Sequence, residues 1–490
     1  MFTDASRAEI EVAMQQSHAA FEQYRQTTLP QRAHFMRTIA ARLEGAQEKL
    51  IQRAMQETAL DRARLQTEFS RTIFQLTSYA QACEEGTWLE VRIDTPSNRQ
   101  PHDLRKMLVP LGPVVVFGAS NFPFAYSTAG GDTACALAAG CSVVVKAHPA
   151  HAQTSEGMAQ LIEEAAVACG MPKGVFTHLQ GASFEVGQAL VQHPLTRAVG
   201  FTGSLQGGRA LFDVANQRPH PIPVFAEMGS VNPVFVLPQK LEQEGGAIAE
   251  MYAQSITGSV GQFCTSPGII VVTDSPALEP FKQALAGSLI KVAPAKMLHQ
   301  GIVKAFHSGR SKALATKGVE LLTPVNEYDE AMSLPTLAQT GAANFLANPH
   351  LHTEVFGPYC LLVVCEDAAQ LLQVAQALEG QLTTSLMATE TEAAASKDLV
   401  LALQTICGRL ILNGVPTGVQ VALAMQHGGP YPATTDSRFT AVGADGIKRF
   451  ARPLCFQNWN NSLLPDALKN ENPSGLWRTV NNNLTKDTIA

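Results

Sequence analysis

Small and apolar residues recur every three to four positions through roughly the first 85 residues. Ile10, Ala13, Ser17, Phe21 and Tyr24 fall near one face. Phe35, Ile39, Leu43, Ala46 and Leu50 repeat the pattern after Pro30, a residue suited to a helix's first turn. Charged residues fill the remaining faces, so these helices are expected to cover a larger body. The period then drops to two. GTWLEVRID (86–94) sets Leu89, Val91 and Ile93 against Trp88, Glu90, Arg92 and Asp94, which predicts a strand with two unlike faces. The polar stretch TPSNRQPH follows as a loop. Such an arm is expected at a sheet edge or as an exchange strand between subunits.

From residue 108 the pattern changes again. LVPLGPVVVFGAS reads as a buried strand, TAGGDTACALAAG as a helix of small residues and CSVVVKAHP as a second buried strand. A helix over Thr154–Cys169 precedes the strand VFTHLQG; RAVGFTGS and PVFAEMGS come later, and a second α/β stretch runs from about 268 to 440. Apolar strands alternating with helices predict an α/β protein built on a parallel sheet covered on both faces.

Composition narrows the function. A chain of 490 residues is too long for one ordinary core, and 46% hydrophobic content supports a large interior. A net charge of −6 argues against a nucleic-acid partner. No apolar run reaches the roughly 18 residues needed to span a bilayer, so no membrane association is expected. The polar N-terminus shows no secretory signal. Nine cysteines without a CxxC or Cys/His ligand spacing read as free thiols of a reducing cytoplasm, with no metal site.

Several stretches could carry chemistry. In GSVGQFCTSPG (258–268), Cys264 lies among small and polar neighbours that would let a flat carbonyl approach its sulfur. A buried small hydrophobe is the alternative for any one cysteine. Asn121, in FGASNFPF, offers an amide donor just past a strand, or is a turn residue. Glu227, in PVFAEMGS, could act as a base if apolar neighbours raise its pKa, or be a solvated loop glutamate. Lys146 ends a buried strand, where open α/β sheets bind ligands. No acid follows it: Ala147, His148 and Pro149 do, so a ribose 2′-phosphate would not be repelled. In RAVGFTGSLQGGRALF, Gly203 and Gly208 bracket a strand–turn–helix as GxxxxG, and Ser204 could add a hydroxyl to a phosphate cradle; a plain glycine turn is the alternative.

Taken in order, Asn-Phe-Pro at 121–123, the Lys146 strand, Phe-Thr-Gly-Ser at 201–204, Glu-Met-Gly-Ser-Val-Asn-Pro from 227, Gly-Gln-Phe-Cys at 261–264 and Glu-Val-Phe-Gly-Pro from 354 resemble the aldehyde dehydrogenase superfamily over almost the whole chain. ETALDRARLQTEFSRT (57–72), the stretch 103–140, VKAHPAHAQTSE and QHGGPYPATTDSRFTAVG (426–443) resemble its 2-oxoglutarate semialdehyde (2,5-dioxopentanoate) dehydrogenases. The NADP-linked fatty aldehyde dehydrogenase of luminous bacteria is also similar. The resemblance implies a Rossmann-type cofactor domain (1–84 and 104–255), an α/β catalytic domain (256–444), and an oligomerisation β-arm with a C-terminal tail (85–103 and 445–490). The alternating arm at 86–94, by strand pairing between subunits, predicts a homodimer or homotetramer.

The implied roles are Cys264 as nucleophile, Asn121 with the Cys264 N–H as oxyanion donors, and Glu227 as base. Lys146, His148, Gly203, Ser204 and Gly208 would hold the adenosine half and pyrophosphate, with Glu354 and Phe356 at the nicotinamide ribose. The expected cofactor is NADP, with NAD possible. Phe122, Arg105 and His427 are candidate substrate contacts, Arg409 and Arg438 further cations for a substrate carboxylate. The sequence departs from the wider family at Asp132, where a lysine is usual, and at Pro149, where an acid reads the ribose. The expected reaction takes 2-oxoglutarate semialdehyde to 2-oxoglutarate. Long-chain or other aldehydes are the alternative, and Glu227 argues against a CoA-acylating enzyme.

Overall fold

Capping fixes where the N-terminal helices begin. In the computed structural model, which describes residues 2–324 and 332–489, the helices Arg7–Tyr24 and Leu29–Gly45 each open on a capping box, Ser6 with Glu9 and Thr28 with Gln31. Pro30 lies in the first turn, as its fixed φ favours. All five residues of the first predicted face are buried. The second face is interrupted: the chain turns at Ala46, and a separate helix, Gln47–Glu57, carries Leu50 into the core. A fourth helix, Arg62–Glu85, stops at Gly86 in the left-handed conformation (φ 63°), which a residue without Cβ adopts freely.

The valine-rich runs form a five-stranded parallel sheet in the order Phe176–Leu179, Val143–Lys146, Val114–Phe117, Ala198–Thr202, Val224–Glu227. The chain starts at the central strand, builds outward on one side, then returns to build on the other. The strand order therefore reverses beside Val114–Phe117, and a crevice opens outside the C-terminal strand ends, the usual ligand position in such sheets. Val114, Val115, Val143, Val144 and Val145 have no exposed surface. Burying a side chain of this size contributes about 1.5–3 kcal/mol.

A second sheet has seven strands: Glu320–Leu321, Thr336–Gly341, Tyr359–Cys365, Ile269–Thr273, Val234–Val236, Gln381–Met387 and Cys407–Leu412. Only the first pairs antiparallel. Its members correct the expected boundary at residue 255. Val234–Val236 pairs in this sheet, and the helix Pro238–Thr257 packs on it through Leu241, Ile248 and Tyr252, so the change of sheet comes before residue 234.

The third sheet joins Ala451–Gln457, Leu104–Pro110, Arg92–Asp94, Arg478–Val480 and Asn483–Thr485. The arm and the C-terminal tail thus share one sheet, which also takes Leu104–Pro110 from the stretch expected with the cofactor domain. LVPLGPVVVFGAS is accordingly two strands in two sheets, separated by a turn at Leu111–Pro113. The predicted strand over 86–94 is also corrected. Thr87–Leu89 is a turn of 3-10 helix, Glu90 is left-handed (φ 51°), and only Arg92–Asp94 is extended. Trp88 and Leu89 are both buried, which no two-faced strand allows.

Candidate active site

Cys264 follows an unusual backbone. Ser259, Val260 and Gly261 are successively left-handed (φ 51°, 60° and 65°), and a β-branched residue such as Val260 resists that region. At Gly261 a Cβ would overlap the carbonyl carbon of Gly357, so the bare glycine lets the cysteine loop lie on the Glu354–Gly357 segment. Asn232, also left-handed, donates from Nδ2 to the carbonyls of Cys264 (2.9 Å) and Ser266 (3.0 Å), fixing the loop from below. Asn121 reaches it from the other side, its Nδ2 donating to the Gln262 carbonyl at 2.9 Å. An amide nitrogen has two hydrogens, so this bond anchors Asn121 to the cysteine loop and leaves the second for a ligand.

Glu227 ends the edge strand of the first sheet, 4% exposed. Its backbone carbonyl accepts from Gly203 N at 3.0 Å, tying it to the glycine turn. The Nε2–H of His427 donates to Glu227 Oε1 at 3.0 Å, and the same nitrogen lies 3.7 Å from Cys264 Sγ. Sulfur, imidazole nitrogen and carboxylate oxygen all fall within 4.8 Å of one another. The other carboxylate oxygen, Oε2, is buried and has no hydrogen-bond partner among the described residues. Glycines hold His427 there: Gly428 and Gly429 pass so close to the Phe439 and Gln381 carbonyls that a Cβ on either would clash. A threonine completes the hold, its Oγ1 at position 440 accepting from His427 N at 2.9 Å.

The electrostatics separate the acid from the thiol. Burial pushes the Cys264 thiol well above its usual range, and the Glu227 charge pushes the same way, while Arg71 pulls against both. The raised pKa expected for Glu227 from its apolar neighbours is corrected: burial does push it up, but the charge and hydrogen bond of His427 outweigh it and hold the carboxyl below its ordinary value. At neutral pH the resting site is therefore a neutral thiol beside an ionised carboxylate that can take its proton.

The remaining candidates fall into two groups. Lys146 and His148 stand at the end of the second sheet strand, and Ser204 caps the twelve-residue helix Leu205–Asn216, accepting from Gly207 N at 3.2 Å. Burial lowers the Lys146 pKa, with Asp4 opposing, and no carboxylate lies within 4.0 Å of the ammonium among the described residues. A cation, a helix N-terminus and a hydroxyl whose proton is still free to donate suit a dinucleotide's phosphates. Gly203 and Gly208 serve packing: a Cβ on Gly203 would strike Phe201, and one on Gly208 would strike Met228. Glu354 lies beside Phe356 in a crevice next to Phe263. Its Oε2 would be 2.7 Å from a Cβ on Gly229. Desolvation by the surrounding protein pushes the Glu354 carboxyl up to about 8, opposed by a hydrogen bond from the Ser230 backbone.

Two candidate cations stand elsewhere. Arg105 lies in the arm sheet, paired with Asp103 at 2.7 Å and donating to the Leu468 carbonyl. Arg438 is exposed and paired with Asp436 at 2.5 Å. Arg105 is buried and spent on these partners, whereas the Arg438 side chain is 79% exposed. Asp132, the departure from the family pattern, pairs with Arg449 at 2.8 Å. Phe122 does reach the site, its ring 5.8 Å from that of Phe263 and 5.1 Å from Tyr126. Tyr126, whose ring is 6.2 Å from His427, and Arg71 join the site without a sequence signal of their own; Tyr126 lies five residues past Asn121, in the motif that carries Asn121 and Phe122.

The model of the aldehyde dehydrogenase family matches residues 1–448. The chain belongs to the aldehyde dehydrogenase family. It is an oxidoreductase that acts on an aldehyde group and uses a nicotinamide dinucleotide. It is 46% identical over 485 residues to alpha-ketoglutaric semialdehyde dehydrogenase 2 of Azospirillum brasilense, covering 98% of this chain and 92% of that one. Identity to the alpha-ketoglutaric semialdehyde dehydrogenase of Acinetobacter baylyi is 45% over 494 residues, with 99% and 93% covered. A betaine aldehyde dehydrogenase double mutant from Staphylococcus aureus in complex with NAD+ shares the fold, with TM-score 0.80, 19% identity and 95% and 92% coverage. No helix among the described residues is long and apolar enough to cross a membrane.

Proposed function

We propose that this aldehyde dehydrogenase oxidises 2-oxoglutarate semialdehyde to 2-oxoglutarate with Cys264 as nucleophile and NADP as the preferred acceptor. The observation that carries the reading is the cluster of Cys264, Glu227 and His427 beside the Asn121 amide. The two alpha-ketoglutaric semialdehyde dehydrogenases, similar over nearly the full chain, support the substrate.

As the aldehyde enters, Glu227 takes the thiol proton on Oε2 and the sulfur bonds to the carbonyl carbon. Asn121 Nδ2 and the Cys264 N–H donate to the oxyanion that forms. The His427 N–H, between carboxylate and sulfur, favours whichever of them is anionic. When bound, the nicotinamide would supply the acceptor for the hydride that the tetrahedral carbon gives up as the oxyanion collapses to the thioester. Glu227, once it has lost the thiol's proton to solvent, draws a proton from water, whose oxygen attacks the thioester; the sulfur leaves as thiolate, the acid departs, and the proton on Glu227 returns to the sulfur. The net change consumes the aldehyde, one water and one oxidised dinucleotide, and gives one carboxylic acid, one reduced dinucleotide and one proton. Lys146, His148 and Ser204 would hold the adenosine ribose and phosphates, and Glu354 the nicotinamide ribose. Pro149 where an acid would stand supports acceptance of a 2′-phosphate.

The edge strand Cys407–Leu412 exposes Leu410 and Leu412, and the arm sheet ends in the open edge Ala451–Gln457. Both support a homodimer or homotetramer formed by strand pairing. Nine free cysteines support a reducing, cytoplasmic setting. Steady-state kinetics with 2-oxoglutarate semialdehyde, succinate semialdehyde and decanal, each with both nucleotides, test the reading. The highest kcat/KM is expected for the first aldehyde with NADP. A preference for decanal, or for NAD, would contradict the corresponding part.

A further inference from the structure

We propose that Arg71 and Arg409 form the subsite that holds the substrate's carboxylate, at the end of the molecule away from the reacting aldehyde. The inference deepens the proposed function and rests on its acid-tailed substrate. Arg71 comes from the helix Arg62–Glu85 and Arg409 from the strand Cys407–Leu412. Although far apart in sequence, both end on one short loop: Arg71 Nη1 donates to the Val419 carbonyl and Arg409 Nη2 to the Pro416 carbonyl.

Arg71 is tied to the reaction centre through a chain of contacts. Its Nη2 donates to Tyr126 Oη at 3.2 Å, its guanidinium lies 5.7 Å from the Tyr126 ring, and that ring faces His427. Arg409 follows Gly408, whose Cα approaches the Gly428 carbonyl so closely that a Cβ would clash, which brings its strand against the His427 loop. Each guanidinium also senses the sulfur: Arg71 favours the Cys264 thiolate, and the thiolate favours the charged form of Arg409.

Their counter-ions set these two apart. Arg64 also borders the pocket, its guanidinium 4.5 Å from the Phe122 ring, but Glu68 neutralises it at 2.9 Å. Arg449 is paired with Asp132. Arg71 and Arg409 have no carboxylate within 4.0 Å among the described residues, and the Nε of each is buried without a hydrogen-bond partner. Two partly buried cations that only brace a loop would be an expensive way to satisfy two carbonyls, since neutral donors serve as well. A planar, forked anion arriving between them would use the donors left over.

The test compares two substrates in the full-length enzyme. For Arg71→Ala and Arg409→Ala, the ratio of kcat/KM for 2-oxoglutarate semialdehyde to that for pentanal is expected to fall about 10- to 100-fold per residue, chiefly through KM, the effect of one lost charged hydrogen bond. The Lys variants should recover part of the ratio by restoring charge without the fork. On Cys264→Ala protein, 2-oxoglutarate should raise the melting temperature and its dimethyl ester should not, an effect lost in the Arg→Ala backgrounds. A wild-type enzyme that prefers acid-tailed aldehydes while both Ala variants keep the preference would overturn the subsite alone. Loss of activity on pentanal in equal proportion would make both arginines loop braces and also overturn it. A wild type indifferent to the acid tail would overturn subsite and substrate together.

Discussion

His427 Nε2 stands 3.0 Å from Glu227 Oε1 although 200 residues separate the two in the chain. The bond determines what the buried carboxylate can do. Without it, burial would leave Glu227 protonated over more of the neutral range and less able to take a proton. His427→Gln is therefore expected to move the acid limb of the kcat/KM profile to higher pH and to lower the plateau, by about 100-fold if proton transfer limits the rate. An unchanged acid limb would remove His427 from that role. Stability should follow the same sign. A depressed folded-state pKa contributes stability above the ordinary carboxyl range that is lost as pH falls through the folded value, so the variant should be less stable at neutrality and lose less on acidification.

The Cys264 thiol should be sluggish in the resting enzyme. Its pKa is raised by burial and by Glu227, so alkylation by iodoacetamide at pH 7 is expected to be slower than for a free thiol and to keep rising beyond pH 9. Glu227→Gln removes the opposing charge and should shift the reactivity profile to lower pH. Fast, pH-independent alkylation of the wild type would contradict a neutral resting thiol.

Asn121→Ala removes an oxyanion donor and one anchor of the Gln262 carbonyl. A fall of about 100- to 1,000-fold in kcat is expected, with KM altered much less. A change confined to KM would make Asn121 a binding residue only.

Gly261→Ala tests the packing that presents the sulfur. The new methyl meets the Gly357 backbone and must adopt φ 65°. A loss of about 1–3 kcal/mol by denaturant titration is expected, with a drop in activity larger than the stability change explains. Wild-type stability would show that the loop tolerates displacement.

Much of this was legible along the chain. The parallel strands announce themselves as valine runs, and Cys264, Asn121 and Glu227 sit in short, ordered motifs that the fold gathers around one loop. What could not be read was set by distant partners. The alternation at 86–94 ignored Gly86 and Glu90, whose left-handed conformations break the extended chain and turn both Trp88 and Leu89 inward. Arg105 resembled a free cation until the arm sheet paired it with Asp103. His427 read as a pocket wall, because nothing nearby in sequence identifies Glu227 as its acceptor. Arg71 lies within ETALDRARLQTEFSRT, but its lack of a carboxylate partner among the described residues shows only in three dimensions.

The central claim is a covalent bond to one sulfur among nine. In Glu227→Gln, where thioester hydrolysis is slowed, a single turnover with 2-oxoglutarate semialdehyde and NADP followed by intact-mass and peptide analysis should reveal an acyl group on Cys264. Protein of unmodified mass despite reduced nucleotide being formed, or an acyl group on any other cysteine, would contradict the account.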